Sequence, residues 1–314
     1  MSTKNSKEQS SNNSINDSQI DLDYDLDEMP KRTRIMNPKQ SQKIYFILLA
    51  SSAVFIFGVF LTIIIMIIVN GFRGMSWELL FADPGLEVEF SIKAAIFGTF
   101  LLITCSVLIA LPLGLSAAIY LNEYAREGII VNIINQGINN LAGVPSIVFG
   151  LFGYAFFSLV LGFGKSLWAG MCTLACMMLP TIIRASQEAL RNVPDEYREG
   201  SFALGSTKWQ TIRWVVLPSA TPGIVTGVIL ALGRAAGETA AILFAGAAIV
   251  PKFLGFSGRF GALPVYLYMK TVNMISTNPY LLWACALVLL VVVFSFNAIA
   301  YIIRSRTEHR AKHY

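Results

Sequence analysis

The chain has 314 residues, 55% of them apolar and 14% charged, with a formal net charge of +5. Several charge-free apolar runs exceed the roughly 20 residues that cross a bilayer, which excludes an ordinary soluble domain. No basic stripe interleaves with aromatics, so no nucleic-acid reading follows. The four cysteines, Cys105, Cys172, Cys176 and Cys285, all lie in apolar runs and read as packing residues, not as a disulfide framework or a metal site.

Residues 1–42 form a tail. Ser, Asn and Asp dominate its first 30 positions, with the acidic run Asp21, Asp23, Asp25, Asp27 and Glu28. Without apolar periodicity this stretch is predicted to be disordered. Lys31, Arg32, Arg34, Lys39 and Lys43 then make a basic juxtamembrane stretch. The apolar run that follows is too long for the core of a signal peptide and is expected to span the membrane.

Residues 43–314 are therefore expected to be an all-α membrane domain with six transmembrane helices. The predicted spans are 43–70, 94–121 with Pro112 as a kink, 139–162, 166–183, 222–250 and 280–303. A short amphipathic piece from Gly128 precedes the third, where Asn139, Asn140, Pro145 and Ser146 mark a polar, bent part. Those four residues can line a pathway or simply bond helix to helix. Asp83-Pro84-Gly85 reads as an external turn, with Glu87 and Glu89 solvated beyond it.

Arg184, Arg191, Arg198, Lys208 and Arg213 lie between spans four and five, and Arg304, Arg306, Arg310 and Lys312 follow span six. With the N-terminal basic stretch they fall on one side of a six-span chain. The positive-inside rule puts that side, with both termini, in the cytoplasm.

The link 184–218 is too polar to span. Helix formers from Gln187 to Asn192 stop at Pro194, Asp195 suits the N-cap of a second helix, and Gly205 interrupts it. Ser206 or Thr207 can cap a third, with Trp209, Ile212, Val215 and Val216 as its apolar stripe and Pro218 as its stop. Such a helix fits two roles equally: a knob on which a soluble partner pushes, or an interfacial helix that only lies on the membrane.

Arg234 and Glu238 stand out in the fifth apolar segment. A charge at mid-bilayer costs roughly 2.5–3.5 kcal/mol even on the lenient insertion scale. At i and i+4 they would share one face of a continuous helix. Gly223 with Gly227 and Gly233 with Gly237 give two small-xxx-small patterns around them, suited to close helix packing.

Several motifs then carry a family resemblance. Glu199-Gly200-Ser201, Gly205, Val215 and Leu217-Pro218 follow the spacing of the coupling loop of ABC importer permeases, with Glu-Gly-Ser in place of Glu-Ala-Ala and Val215 in place of Ile. Leu141 to Gly150, Tyr120 to Tyr124, Arg234 to Thr239 and Gly261 to Tyr268 look like the membrane subunits of the phosphate-specific importer, the A-type above the C-type. The resemblance runs from about Ala94 to the end of span six. It implies a type I ABC importer permease fold in a bacterial cell membrane and a function in phosphate import. It also implies a homologous C-type permease, two copies of a separate ATPase that uses ATP and Mg, and an extracytoplasmic phosphate-binding protein. Residues 199–218 would be the helix that meets the ATPase, with Arg234 and Glu238 on the substrate pathway. A permease for molybdate or sulfate, an ATPase-independent channel or secondary transporter, a non-conducting sensor, and an Arg234–Glu238 pair that only locks span five to a neighbour are the competing readings.

No cofactor is expected on this chain. Gly164-Lys165-Ser166 resembles the end of a Walker A loop, but Leu159 stands where that loop requires glycine. No carboxylate pair, His cluster or nucleophile–base set supports catalysis.

Overall fold

The computed structural model describes residues 38–82, 91–250, 253–272 and 279–311, with the side chains of 38–41 and 306–311 excepted. The expected acidic tail, the basic residues before Pro38 and the Asp83-Pro84-Gly85 turn lie outside these. Among the described residues the regular structure is helical, apart from a single parallel bridge between Ala247 and Phe260, and the rest is turns and loops.

The chain divides into two units at Thr62 and Ile63. Helix α1, Pro38–Gly74, crosses that division. Its residues 42–62 are all exposed, an apolar surface suited to lipid. The second unit begins with the last turns of α1 and continues through the short α2, Trp77–Phe81, which Ser76 caps by accepting the Leu79 N–H.

Helix α3, Lys93–Ile119, carries Pro112 inside it and runs on through a widened turn to Tyr124. There the Ala125 N–H donates to Tyr120 O, an i→i+5 bond. Helix α4, Ile129–Ala142, and helix α5, Ser146–Gly153, follow. The third span is not the continuous helix expected over 139–162. It breaks at Gly143–Pro145, and the two pieces, 129–142 and 146–160, meet at 102°. Pro145 has no N–H and disfavours a helical residue before it, so the chain turns where proline opposes continuation.

Helix α6, Leu167–Arg191, is the most buried span. It extends eight residues past the expected end at 183, because Gln187, Ala189 and Leu190 are buried against other helices and offset the polarity of their neighbours. Helix α7, Asp195–Ala203, and helix α8, Lys208–Thr211, form the link. Helix α9, Leu217–Ala236, continues α8 without interruption through a widened turn at Ile212–Val216. Helices α10, Ala240–Ala245, α11, Leu263–Val272, and α12, Pro279–Ala311, complete the chain.

Among the described residues five helices are long and apolar enough to cross a membrane, six when the bent pair is counted as one span. The core is built where α6 packs against α3, α5, α9 and α10, with Leu102, Phe149, Met171, Leu174 and Met178 at its centre. Ser106 pins α3 to α6 by donating to Met171 O at 3.1 Å as well as to Leu102 O. At Gly227 of α9, a β-carbon would overlap the Ala185 side chain, and at Gly223 it would lie 2.6 Å from Ala189 Cβ. The first small-xxx-small pattern thus packs α9 on α6 within the chain. The second is not at a close approach: the nearest atoms to a β-carbon at Gly233 and at Gly237 would lie 3.7 and 4.0 Å away.

Candidate functional site

The expected single helix over 222–250 is two. Helix α9 stops at Ala236, Gly237 caps it, and Glu238 lies in the break before α10. Glycine is the poorest non-proline residue in a helix interior, and Gly233, Gly237 and the charged Glu238 crowd one short stretch. The break therefore falls among these residues. Arg234 is in the last turn of α9, and the expected shared helix face does not exist.

The two charges still meet. Arg234 Nε lies 4.0 Å from Glu238 Oε1, the outer limit of an ion pair. The Arg234 side chain is 38% exposed and that of Glu238 only 12%. Among the described residues the Arg234 guanidinium makes no hydrogen bond, and its carbonyl oxygen accepts the Gly237 N–H. The guanidinium is a loosely held cation on a partly open surface, favoured there by the negative end of the α9 macrodipole. Both members belong to one segment.

The two broken spans pack on one another. Helix α5, just after the break at Pro145, lies against α10, just after the break at Glu238. A β-carbon at Gly150 would sit 2.9 Å from Ala241 Cα and 3.0 Å from the Ala240 carbonyl oxygen. The motifs at Leu141–Gly150 and Arg234–Thr239, 84 residues apart at their nearest, are thus neighbours in the fold. Irregular backbone at membrane depth persists only inside protein or beside a water-filled cavity. Asn139 and Asn140 lie exposed on α4. The helix-to-helix bond in this region is made by Asn135, whose side-chain oxygen accepts from Gln187 Nε2 at 2.9 Å. That bond has no sequence signature beyond an amide on each helix.

The link is ordered as three pieces. Pro194, not Asp195, is the N-cap of α7; Asp195 and Glu196 occupy the first turn, where the helix dipole favours anions. Glu199 and Gly200 are exposed, whereas Ser201 is buried and shares a 2.9 Å hydrogen bond with the Thr211 hydroxyl. Gly205 has φ +83°, a left-handed turn that glycine adopts without strain. Thr207 caps α8 in a reciprocal box with Gln210.

Pro218 does not stop this helix. The Leu217 N–H donates to Ile212 O, an i→i+5 bond that widens the turn ahead of the proline ring. Val215 and Leu217 are half-buried on that turn and Pro218 is exposed. The helix runs unbroken for 29 residues from Lys208 to Ala236. The link residues from Lys208 to Pro218 and Arg234 therefore share one continuous helix about 40 Å long. Gly164-Lys165-Ser166 is the turn before α6, with Ser166 capping that helix by accepting the Ala169 N–H. Among the described residues no group of His, Cys, Asp and Glu could hold a metal ion.

Paired broken spans, one of them continuous with a helical link, are the architecture of a transport system's membrane subunit. Comparison with known proteins agrees. Residues 110–309 match the family described as "Binding-protein-dependent transport system inner membrane component", and the chain belongs to that family. It is 40% identical over 219 residues to "Phosphate transport system permease protein PstA 1" of Mycobacterium tuberculosis strain H37Rv, covering 69% of this chain and 71% of that one. It is 32% identical over 294 residues to the PstA permease of Yersinia pestis, covering 92% and 99% of the two chains. Among solved structures, the fold is similar to a bacterial alginate ABC transporter bound to its periplasmic protein (TM-score 0.58, 15% identity, 85% of this chain and 96% of that one). It is also similar to the inward-facing MetNI methionine ABC transporter (TM-score 0.55, 22% identity, 68% and 94%). These two structures establish the importer permease fold and nothing about substrate.

Proposed function

We propose that this chain is the membrane-spanning permease subunit of an ATP-driven inorganic phosphate importer. The relatives named as phosphate permeases, matched over most of both chains, support the substrate. The observation that carries the mechanism is the continuity of α8 and α9: one helix joins the link at Lys208 to Arg234.

A homologous C-type permease completes the pathway, two ATPase subunits hydrolyse ATP with Mg, and an extracytoplasmic protein delivers phosphate. The basic residues of the link and of the chain's C-terminal end favour the cytoplasmic side for both, with the termini. Residues 199–218 meet the ATPase; closure of the ATPase pair moves α7, and α8 and α9 carry that motion to Arg234.

Phosphate is an anion with tetrahedral oxygens, and the planar guanidinium fork matches them while staying protonated. A tight site would retain the ion. The Arg234 guanidinium is partly open and paired only at 4.0 Å, so phosphate can exchange onto it while Glu238 moderates its charge. A locking pair would be short and enclosed.

ATP-dependent uptake of labelled phosphate into vesicles holding the whole complex tests this. Wild type should accumulate phosphate, and Arg234→Gln should not, with the ATPase still bound. Wild-type uptake by the variant overturns the pathway role. Uptake without the ATPase makes the protein a secondary transporter. Preferred competition by sulfate or molybdate reassigns the substrate.

A further inference from the structure

Arg198 lies in the first turns of α7, one residue before Glu199. Its guanidinium reaches two other parts of the chain and the first residue of its own helix. Nη2 donates to Glu123 Oε1 at 3.0 Å and to Leu190 O at 2.9 Å. Nη1 donates to Val193 O at 2.7 Å and to Asp195 Oδ1 at 3.0 Å. Glu123 Oε1 also accepts from Asn122 Nδ2 at 2.9 Å.

The partners differ in kind. Asp195 is 87% exposed, so water and salt screen it and it adds little. Glu123 is 8% exposed and Arg198 16%, so their pair is desolvated. A desolvated pair holds only when its remaining donors are satisfied. Here the carbonyls of Leu190 and Val193 do that, and the positive charge also suits the C-terminal end of α6. One side chain thus joins the end of the second span, the end of α6 and the start of α7. The apolar cluster of Ala118, Ile183, Leu190, Val193 and Val216 draws on α3, α6 and the start of the α9 helix, the elements that flank this pair.

At its other end α7 is held differently. The Ser201–Thr211 hydrogen bond and the short turn at Gly205 connect it to α8, and so to α9. A displacement of α7 can therefore leave along two routes, one toward Arg234 and one toward α3.

We propose that the Arg198–Glu123 pair is the second route: a strut that makes the second span move with α7. This rests on the reading of α7 as the helix that meets the ATPase. Neither side chain touches substrate; both are positioning residues. Without the pair, α7 would still rock α9, but α3 would lag and ATP would be spent without opening both sides of the pathway.

The test uses the complete complex in proteoliposomes, with Arg198→Ala, Glu123→Ala and the double variant. Phosphate moved per ATP hydrolysed should fall about tenfold in each single variant. The double variant should be no worse than Arg198→Ala, because that change already removes the link to Glu123. Spin labels at Glu196→Cys on α7 and Tyr120→Cys at the end of the second span should report one narrow distance in the otherwise native complex. That distance should be the same with and without ATP, and should broaden in both single variants. An unchanged ratio, an additive double variant or a distance that stays narrow overturns the strut. So does a loss of transport that only tracks loss of assembled complex. A wild-type complex that moves no phosphate overturns the substrate reading instead, and the label distances still decide the strut.

Discussion

Ser201 and Thr211 share a buried hydrogen bond of 2.9 Å that closes the loop between α7 and α8. Ten residues separate them, and the turn at Gly205 brings them face to face. The bond fixes the angle at which α7 meets the helix that ends just beyond Arg234.

Removing one hydroxyl of this pair leaves the other buried. Ser201→Ala should lower stability by ~1–2 kcal/mol. Thr211→Val should do the same, and the double variant should lose less than the sum. Thermal unfolding of the purified protein in detergent reads all three; strict additivity would show that the two hydroxyls do not depend on each other.

Gly205 is exposed, and a β-carbon there would meet nothing within 4 Å, yet its φ is +83°. Gly205→Ala should therefore cost ~1–2 kcal/mol through backbone strain alone. Gly205→Asn should cost less, since Asn tolerates the left-handed region. Equal melting temperatures for glycine and alanine would contradict this.

Two glycines of α9 should behave oppositely. Gly227→Ala places a methyl on Ala185, an overpacking worth ~1–3 kcal/mol of destabilisation. Gly233→Ala meets nothing closer than Asn297 Oδ1 at 3.7 Å, and gains up to ~1 kcal/mol of helix propensity. Melting temperatures that move the same way in both would sink the assignment of Gly227 to the α6 contact.

Arg234→Lys keeps the charge and loses the planar fork. If the fork recognises phosphate, uptake should fall about tenfold, between wild type and Arg234→Gln. Uptake kinetics across phosphate concentration check this, and a Lys variant indistinguishable from wild type would reduce the role of Arg234 to charge alone.

Apolar run length and the absence of charge locate the spans, because lipid imposes a length and a composition that the chain must display. The link motif from Glu199 to Pro218 is legible for a similar reason: its glycine, its cap and its apolar stripe are local demands of a turn and a helix. Proline and glycine mark where a helix can break, but which of those places break, and which contacts form, is not local. An apolar stretch such as 222–250 reads as one helix by composition, and only packing of α10 on α5 at Gly150 stabilises a chain that leaves helix at Gly237. Pro218 reads as a stop, but a widened turn at Ile212–Val216 accommodates its ring and keeps the helix whole. Glu123 and Arg198 are 75 residues apart, and nothing local marks either as the other's partner. Residue type and run length suffice to mark Arg234 and Glu238 as costly in a membrane. That they sit at a broken helix end, loosely paired and partly open, comes from packing, since neighbouring helices set what a side chain there can reach.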